Sequence, residues 1–130
     1  MKIKISKLDK LFSDLIRRRD DWRCRKCKRQ HDSEDSYSRM GLHCSHFFGR
    51  SNKGTRFDPL NCLSLCMGCH LYFHAHPIEH TEWFKSQITE KEFDELNRKA
   101  RAAVKIDLEE IREWIKQELK LLEAREALND

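Results

Sequence analysis

The chain has 130 residues, of which 38% are hydrophobic and 37% are charged, and its formal net charge at pH 7 is +4. A chain of this length forms one domain, or one small domain with appended helices, and its modest apolar content favours a core stapled by a bound metal ion. No stretch approaches the roughly 20 apolar residues of a membrane span. No apolar leader follows Met1, so we expect a cytoplasmic protein.

Basic residues are concentrated in the first half of the chain. Residues 1–56 carry 16 Lys and Arg against 7 Asp and Glu, a net charge of +9, whereas residues 57–130 carry 10 against 15, a net charge of −5. A positive surface of this kind attracts the phosphates of nucleic acids. We therefore expect a nucleic acid as the partner, with phosphate contacts from Arg50, Lys53 and Arg56.

The first half of the chain predicts one helix followed by a strand. Ser6 can cap a helix that runs to about Asp20, with apolar residues at helical spacing: Leu8, Leu11, Phe12, Leu15 and Ile16. Arg17–Arg19 lie in that helix, and a solvated face explains them as well as a phosphate contact does. Residues 41–48 are typical of a strand, and residues 49–54 of a turn.

The second half of the chain predicts four helices. The first starts near residues 63–66 and ends before Pro77, which breaks it. The second covers about residues 78–87. Thr89 and Glu92 form a capping box for the third, and Asp107 opens the last.

The last helix carries one apolar stripe, formed by Leu108, Ile111, Ile115, Leu119 and Leu122. This stripe spans fewer heptads than a coiled coil needs. We therefore expect it to pack on the domain's own helices, and a homodimer through the C-terminal helices is the alternative.

Two Cys-x2-Cys pairs predict a structural zinc site, with the ligands Cys24, Cys27, Cys66 and Cys69. Zinc binds thiolates tetrahedrally at about 2.3 Å, and this spacing is typical of closed sites. Disulfides are disfavoured because no secretory segment opens the chain. The pair Cys62/Cys66 and His31 are competing ligands; otherwise Cys44 and Cys62 are small buried hydrophobic residues.

His70 and His74 predict a second kind of metal site. If a helix begins near Cys66 or Cys69, these two histidines lie on one helix face, about 5–6 Å apart at Cβ. That spacing suits two imidazoles that share one metal ion. Ordinary packing is the usual explanation for such a pair, but here it follows the cysteine pair, and it follows His46 and Asn61.

The ordered set His46, Asn61 and His70, together with the two cysteine pairs, resembles the HNH endonucleases of the ββα-metal (His-Me finger) class. The segment SHFFGRSNKGTRFDPLNCLSLCMGCHLYFH is similar to small phage-type members, including the NinG-like recombination nucleases. The resemblance covers roughly residues 22–84. It implies an α+β fold, with a zinc-stapled, treble-clef-like ββα-metal core at 22–86, an N-terminal helix within 1–21 and C-terminal helices within 87–130.

The resemblance also implies a role for each site residue. His46 matches the general base, Asn61 the residue that holds the following loop, and His70 and His74 two ligands of the catalytic ion, Mg²⁺ or Mn²⁺. The acidic ligand that many members carry just before the base is replaced by Ser45. His43 is the first candidate for that missing ligand, followed by Ser45, Asn61 or a water molecule.

The chemistry of these residue types agrees with phosphodiester hydrolysis. A neutral imidazole with a pKa near 6.5 accepts a proton from water at neutral pH, and a divalent ion stabilises the charge on the phosphate and the leaving oxygen. The resemblance implies a metal-dependent DNA endonuclease that leaves a 5′-phosphate, in phage DNA recombination or processing. The alternatives are a non-catalytic zinc module that binds DNA or protein, and a nuclease that acts on RNA.

Overall fold

The chain folds as one helix, two strands and four further helices, in the computed structural model, which describes residues 3–33 and 40–129. The helices are α1 (Ile5–Arg19), α2 (Met67–Ala75), α3 (Pro77–Gln87), α4 (Glu90–Arg101) and α5 (Leu108–Leu128). Strands β1 (Leu42–His46) and β2 (Cys62–Cys66) pair in an antiparallel sheet. The predicted α+β class is therefore confirmed.

Strand β2 corrects one sequence prediction. A helix was expected to start near residues 63–66, but this segment is a strand, and the helix begins at Met67. Leu63 and Leu65 are buried on one face of the strand, and Cys62 and Ser64 are buried on the other, so both faces are covered. A short run that is apolar on both faces does not distinguish a strand from a buried helix by its periodicity.

The register of the sheet determines where the histidines and cysteines of β1 lie. Leu42 lies opposite Cys66, Cys44 opposite Ser64, and His46 opposite Cys62. A helix follows β2 directly, so the central segment has the order strand, strand, helix. Strand β1 and helix α2 therefore border the same region of the molecule.

Helix α1 begins two residues earlier than the sequence predicts. Its N-cap is Lys4, which makes no side-chain capping bond, and Ser6 lies inside the helix. The predicted Ser6 cap is therefore wrong. The apolar residues that follow at Leu8 and Phe12 are fully buried, so the helix start is determined by packing on the core more than by a cap.

Helix α5 packs against α1, as the apolar stripe predicts. Ile115 and Leu122 of α5 join Phe12, Ile16 and Cys62 in one buried cluster. Asp107 caps α5 by accepting hydrogen bonds from the backbone N–H groups of Glu109 and Glu110. No helix in the described ranges is both long enough and apolar enough to cross a membrane.

The predicted capping box of α4 is present in full. The Thr89 hydroxyl accepts a hydrogen bond from the Glu92 N–H at 3.0 Å, and the Glu92 carboxylate accepts one from the Thr89 N–H at 2.9 Å. Helices α3 and α4 enclose a second buried cluster with Leu63, Phe84 and Leu96. This cluster supports the sheet on the side away from α1.

Asp20 fastens α1 to the sheet and to the first cysteine pair. Its carboxylate accepts hydrogen bonds from the guanidinium groups of Arg19 and Arg25 and from the Ser64 N–H. Burial opposes ionisation of this group, but Arg19, the Ser64 N–H and Arg25 outweigh it and hold the pKa of Asp20 below its usual value. Its charged hydrogen bonds therefore connect α1, the turn that carries the first cysteine pair, and β2.

Candidate metal centre and histidine cleft

The first cysteine pair lies on a tight turn between α1 and β1. Residues Arg23 and Gln30 form an isolated antiparallel bridge across it. The Cys24 N–H donates to the Arg29 carbonyl at 3.0 Å, and the Lys28 N–H donates to the Cys24 carbonyl at 2.9 Å. Lys28 adopts φ 69° to close the turn, a left-handed conformation that costs a non-glycine residue about 1 kcal/mol.

The second cysteine pair lies where β2 becomes α2. Cys66 is the N-cap of the helix, and its Sγ accepts a hydrogen bond from the Cys69 N–H at 3.4 Å. The Cys27 N–H makes the corresponding bond to the Cys24 Sγ at 3.5 Å. Each pair thus directs a backbone donor at its own first sulfur, which stabilises a thiolate there.

The two pairs meet in one cluster, here called the cysteine cluster, whose members are Cys24, Cys27, Cys66 and Cys69. Their four sulfur atoms all lie within 4.8 Å of one another, and the Sγ atoms of Cys27 and Cys66 are 3.8 Å apart. Sulfurs that share one tetrahedral zinc ion at about 2.3 Å are separated by about 3.8 Å. The cluster is therefore compatible with structural zinc, as predicted.

The alternative zinc ligands lie elsewhere. The His31 Nδ1 is 3.1 Å from the Arg29 carbonyl oxygen, and Cys62 belongs to a different group of donors, described below.

The ionisation of the cysteine cluster fits a bound cation. Burial opposes ionisation of Cys24, but the N–H groups of Cys27, Cys66 and Lys26 outweigh it and lower the pKa of this thiol to about 7. Burial raises the pKa of Cys66 and, further, that of Cys69, where neighbouring thiols add to the effect. One thiolate therefore forms readily, whereas the full set needs a cation to offset the repulsion.

Four of the predicted histidines line one cleft of about 440 Å³, here called the histidine cleft. Helix α1, strand β1, the loop after it and helix α2 form its walls, with these lining residues: Asp9, Ser13, Arg17, His43, Cys44, His46, Gly49, Arg50, His70 and His74. The imidazoles of positions 46, 70 and 74, which are far apart in the sequence, therefore share one space.

His43 and His70 lie in direct contact within the cleft. Their Nδ1 atoms are 3.0 Å apart, and the ring centroids of His70 and His74 are 4.8 Å apart. Burial, reinforced by the surrounding histidines, lowers the pKa of His70 to about 4, so this imidazole is neutral at physiological pH. A neutral imidazole is the form that binds a metal ion.

The 3.0 Å separation also suits two ligands of one ion. Two nitrogens that bind a metal at 2.0–2.1 Å in adjacent positions are about 2.9–3.4 Å apart. His43 is thus better placed for the role of the missing acidic ligand than Ser45, which is buried. His74 is exposed. Among the described residues, it is not part of any group of three donor atoms that lie close enough together to share one metal ion.

The tautomer of His46 follows from its hydrogen bond. Its Nε2 is 3.0 Å from the Arg56 carbonyl oxygen. A carbonyl only accepts, so Nε2 carries the proton, and the lone pair of the neutral ring is on Nδ1. Burial lowers the pKa of His46 and the charge of Arg50 acts in the same direction, whereas the Arg56 carbonyl opposes the shift.

Asn61 holds the loop that follows His46. Its side-chain amide donates to the carbonyls of Phe48 at 2.9 Å and Thr55 at 3.1 Å, and its Oδ1 accepts from the Phe48 N–H at 2.8 Å. Its backbone carbonyl also accepts from the Phe47 N–H at 2.8 Å. Asn61 is fully buried and so positions the end of β1, and its side chain is committed to these bonds rather than to a metal ion.

The three residues predicted to contact phosphate have different surroundings. The guanidinium of Arg56 makes a two-pronged ion pair with Asp9, at 3.0 and 2.6 Å, and a further bond to the Arg50 carbonyl. Arg56 thus has a structural role, and its phosphate contact stays a prediction. Lys53 lies beside a different pocket, next to α4. Only Arg50 borders the histidine cleft.

Sequence reasoning missed the contribution of α1 to the cleft. Asp9, Ser13 and Arg17 follow one another at intervals of four residues, which places them on one helix face. Arg17 is buried, and its guanidinium donates to the Leu42 carbonyl and to Asp14. A polar stripe beside the apolar stripe of α1 was the sequence feature that indicated this face.

No protein-family model, curated protein or solved structure matches this chain.

Proposed function

We propose that this protein is a metal-dependent endonuclease of the HNH type that hydrolyses DNA phosphodiester bonds. One observation carries the proposal: His46, whose Nε2–H is held by the Arg56 carbonyl, lines the same cleft as His43, His70 and His74. A proton acceptor and a set of nitrogen ligands in one cleft suit the hydrolysis of a phosphate diester.

His46 acts as the general base in this proposal. Its Nδ1 takes a proton from the attacking water, and the Arg56 carbonyl holds the ring so that the resulting imidazolium keeps its Nε2–H bond. Asn61 keeps the carbonyl-bearing loop in register with β1 through its bonds to Phe48 and Thr55. The base is thus held in position before substrate binds.

His43, His70 and His74 would hold the catalytic divalent ion. The ion supplies a positive charge next to a phosphate oxygen and the leaving oxygen. Imidazole nitrogens suit Zn²⁺, Ni²⁺ and similar ions, whereas Mg²⁺ and Mn²⁺ prefer oxygen ligands. Mg²⁺ or Mn²⁺ would therefore bind here with several water molecules.

Arg50 supplies positive charge at the cleft for the DNA backbone. Arg50 is exposed beside the His46 loop and also helps to keep His46 neutral. The proposal places the cysteine cluster behind this cleft as a structural zinc site of a treble-clef-like core, with the ion anchoring the N-terminus of α2 and hence His70. A role in phage DNA recombination or processing would follow from the family resemblance.

The test is cleavage of supercoiled plasmid by the zinc-loaded protein with Mn²⁺ or Mg²⁺. We expect nicking that His46→Ala abolishes, with zinc content and the circular dichroism spectrum unchanged. His76→Ala is the matched control, because His76 is exposed and does not line the histidine cleft. Its activity should equal that of the wild type.

The absence of metal-dependent cutting under all conditions would overturn the nuclease proposal and leave a zinc module. Cutting that persists in His46→Ala would overturn the assignment of the base. Parallel assays with single-stranded RNA and with branched DNA test the substrate class, and preferential hydrolysis of RNA would contradict DNA as the substrate.

A further inference from the structure

A second group of metal-binding donors borders the histidine cleft. Cys44, His46 and Cys62, here called the sheet triad, have donor atoms that all lie within 4.8 Å of one another. Cys62 is fully buried, and Cys44 and His46 are half-buried. None of these atoms belongs to the cysteine cluster, and neither thiol has a role in the proposed hydrolysis.

The sheet register explains why the triad converges. Cys44 and His46 are two residues apart on β1, so they project from the same face of the strand. Cys62 lies directly opposite His46 on β2. Three donors on one face of a two-stranded sheet therefore form a triangle that does not depend on loop conformation.

The same register favours a metal ion over a disulfide. Cys44 lies opposite Ser64, so Cys44 and Cys62 are diagonal neighbours, whose Cα atoms are typically about 7–8 Å apart in an antiparallel pair. A disulfide needs about 4.4–6.8 Å. Two thiolates that share a zinc-like ion need only approach to about 3.8 Å at sulfur, which side-chain rotation supplies.

Occupation of the triad would disable His46 whichever nitrogen it uses. A neutral imidazole has one lone pair. If the ion binds Nδ1, the lone pair that would accept a proton from water is consumed. If the ion binds Nε2, it displaces the proton held on the Arg56 carbonyl, and that proton must then sit on Nδ1.

We propose that Cys44, Cys62 and His46 form an inhibitory site for a thiophilic divalent ion such as Zn²⁺, which switches off the nuclease by capturing its general base. Binding releases the two thiol protons and places Cys₂His ligands on the ion, with a fourth position for water. The inhibitory effect rests on the proposed function, whereas the metal site itself does not.

The site is tested without any activity measurement by adding Co²⁺ to protein that holds one zinc ion in the cysteine cluster. Cobalt binds more weakly than zinc, so it does not displace that ion. We expect a thiolate-to-cobalt charge-transfer band that saturates at one equivalent. Cobalt bound to the histidines of the cleft produces no such band, because these ligands contain no sulfur.

The variants separate the sheet triad from its surroundings. Cys44→Ala and Cys62→Ala should each abolish or shift the band, and His46→Ala should weaken Co²⁺ binding at least tenfold, whereas His43→Ala should leave it intact. Ser64→Ala is the matched control for the sheet, because Ser64 is buried on β2 opposite Cys44 and offers no thiol. If Cys62→Ala fails to fold, the half-buried Cys44 variant decides. The absence of a band in folded, zinc-loaded wild-type protein would overturn the site.

The inhibitory role is tested by adding Zn²⁺ beyond one equivalent to the plasmid assay with Mn²⁺. We expect the concentration of free Zn²⁺ that halves activity to be at least tenfold higher for Cys44→Ala than for the wild type. Equal inhibition of both would place the inhibiting ion at the histidine ligands and overturn the regulatory proposal. A charge-transfer band without any nuclease activity would instead retain the site and reject the proposed function.

Discussion

At the scale of single residues, hydrogen bonds to backbone groups determine what the polar side chains of the cleft can do. The Arg56 carbonyl determines the tautomer of His46. Both the oxygen and the nitrogen of the Asn61 side-chain amide form hydrogen bonds with the backbone of the loop. Arg56, which the sequence predicts to contact phosphate, makes an ion pair with Asp9. The same residue types would have other roles with other partners.

The pH dependence of activity follows from the environment of His46. Burial and the Arg50 charge lower its pKa below 6.5, against the Arg56 carbonyl. As the proposed general base, His46 must be neutral, so the proposed activity should be retained at neutral pH and lost as pH falls through the lowered pKa. We expect the acid limb of log kcat/KM to lie below pH 6.5, and Arg50→Met to move it to higher pH.

Lys53→Met is the control for that charge effect. Lys53 does not border the histidine cleft, so its removal should leave the pH profile in place. An acid limb at or above pH 6.5 in the wild-type protein would contradict the assignment of His46 as a buried base.

Removal of Asn61 should damage both stability and activity. Asn61→Ala leaves the Phe48 and Thr55 backbone groups without their buried partners, which we expect to cost about 2–4 kcal/mol in the free energy of unfolding. The freed loop also misplaces the base, for which a loss of about 100-fold in kcat is expected. Urea denaturation and plasmid nicking measure the two effects.

Asn129→Ala, at an exposed position after α5, is the control for Asn61→Ala and should change neither quantity. Full activity in a folded Asn61→Ala protein would show that the loop keeps its position without this residue.

At the scale of elements, each helix and strand forms where its apolar residues find a partner. The β2 segment is buried on both faces because α1 covers one side and the α3–α4 cluster the other. Helix α2 begins directly after β2, with no loop between them. Cys66 and Cys69 therefore lie at the first turn of the helix, and His70 follows Cys69.

Adjacent leucines of α5 test how that helix packs. Leu122 is buried against α1, whereas the neighbouring Leu121 is 65% exposed. We expect Leu122→Ala to lower the free energy of unfolding by about 2–4 kcal/mol and Leu121→Ala to change it by less than about 0.5 kcal/mol. Thermal denaturation of the two variants measures the difference.

The same pair also distinguishes intramolecular packing from a homodimer. If α5 used Leu121 in a dimer interface, Leu121→Ala would destabilise the protein in a concentration-dependent way. Sedimentation at two concentrations, with both variants, separates these outcomes.

At the scale of the whole molecule, the apolar interior is divided rather than continuous. Buried apolar residues of the described ranges form three clusters, and the one around Leu42, Leu65 and Phe73 includes Cys24. Such small clusters leave little stabilisation to spare. An ion in the cysteine cluster would join the first turn, β2 and α2 across this divided interior.

Loss of that ion should therefore destabilise the whole domain. We expect Cys27→Ala to lower zinc content below one equivalent and the Tm by about 10 °C or more. Cys44→Ala, outside the cysteine cluster, should retain one zinc and most of the stability. Metal analysis and calorimetry provide the comparison, and a zinc-free Cys27→Ala protein with wild-type Tm would contradict a structural role.

The sequence by itself determined the features that depend on local spacing. Four features depend on spacing within a short segment and can be identified from it: the two Cys-x2-Cys pairs, the helical pair His70 and His74, the capping box at Thr89 and the apolar stripe of α5. The presence of five helices around a small sheet was close to predictable for the same reason.

Only the tertiary structure decided which of these residues meet. Long-range packing brought α1 into the wall of the cleft, placed His43 against His70, joined Arg56 to Asp9, and put Cys44, His46 and Cys62 on one sheet face. Most of these contacts join residues that are far apart in the sequence, and their energy comes from burial shared among several elements. No local sequence pattern predicts these contacts, because they form only when the helices and strands pack together into the core.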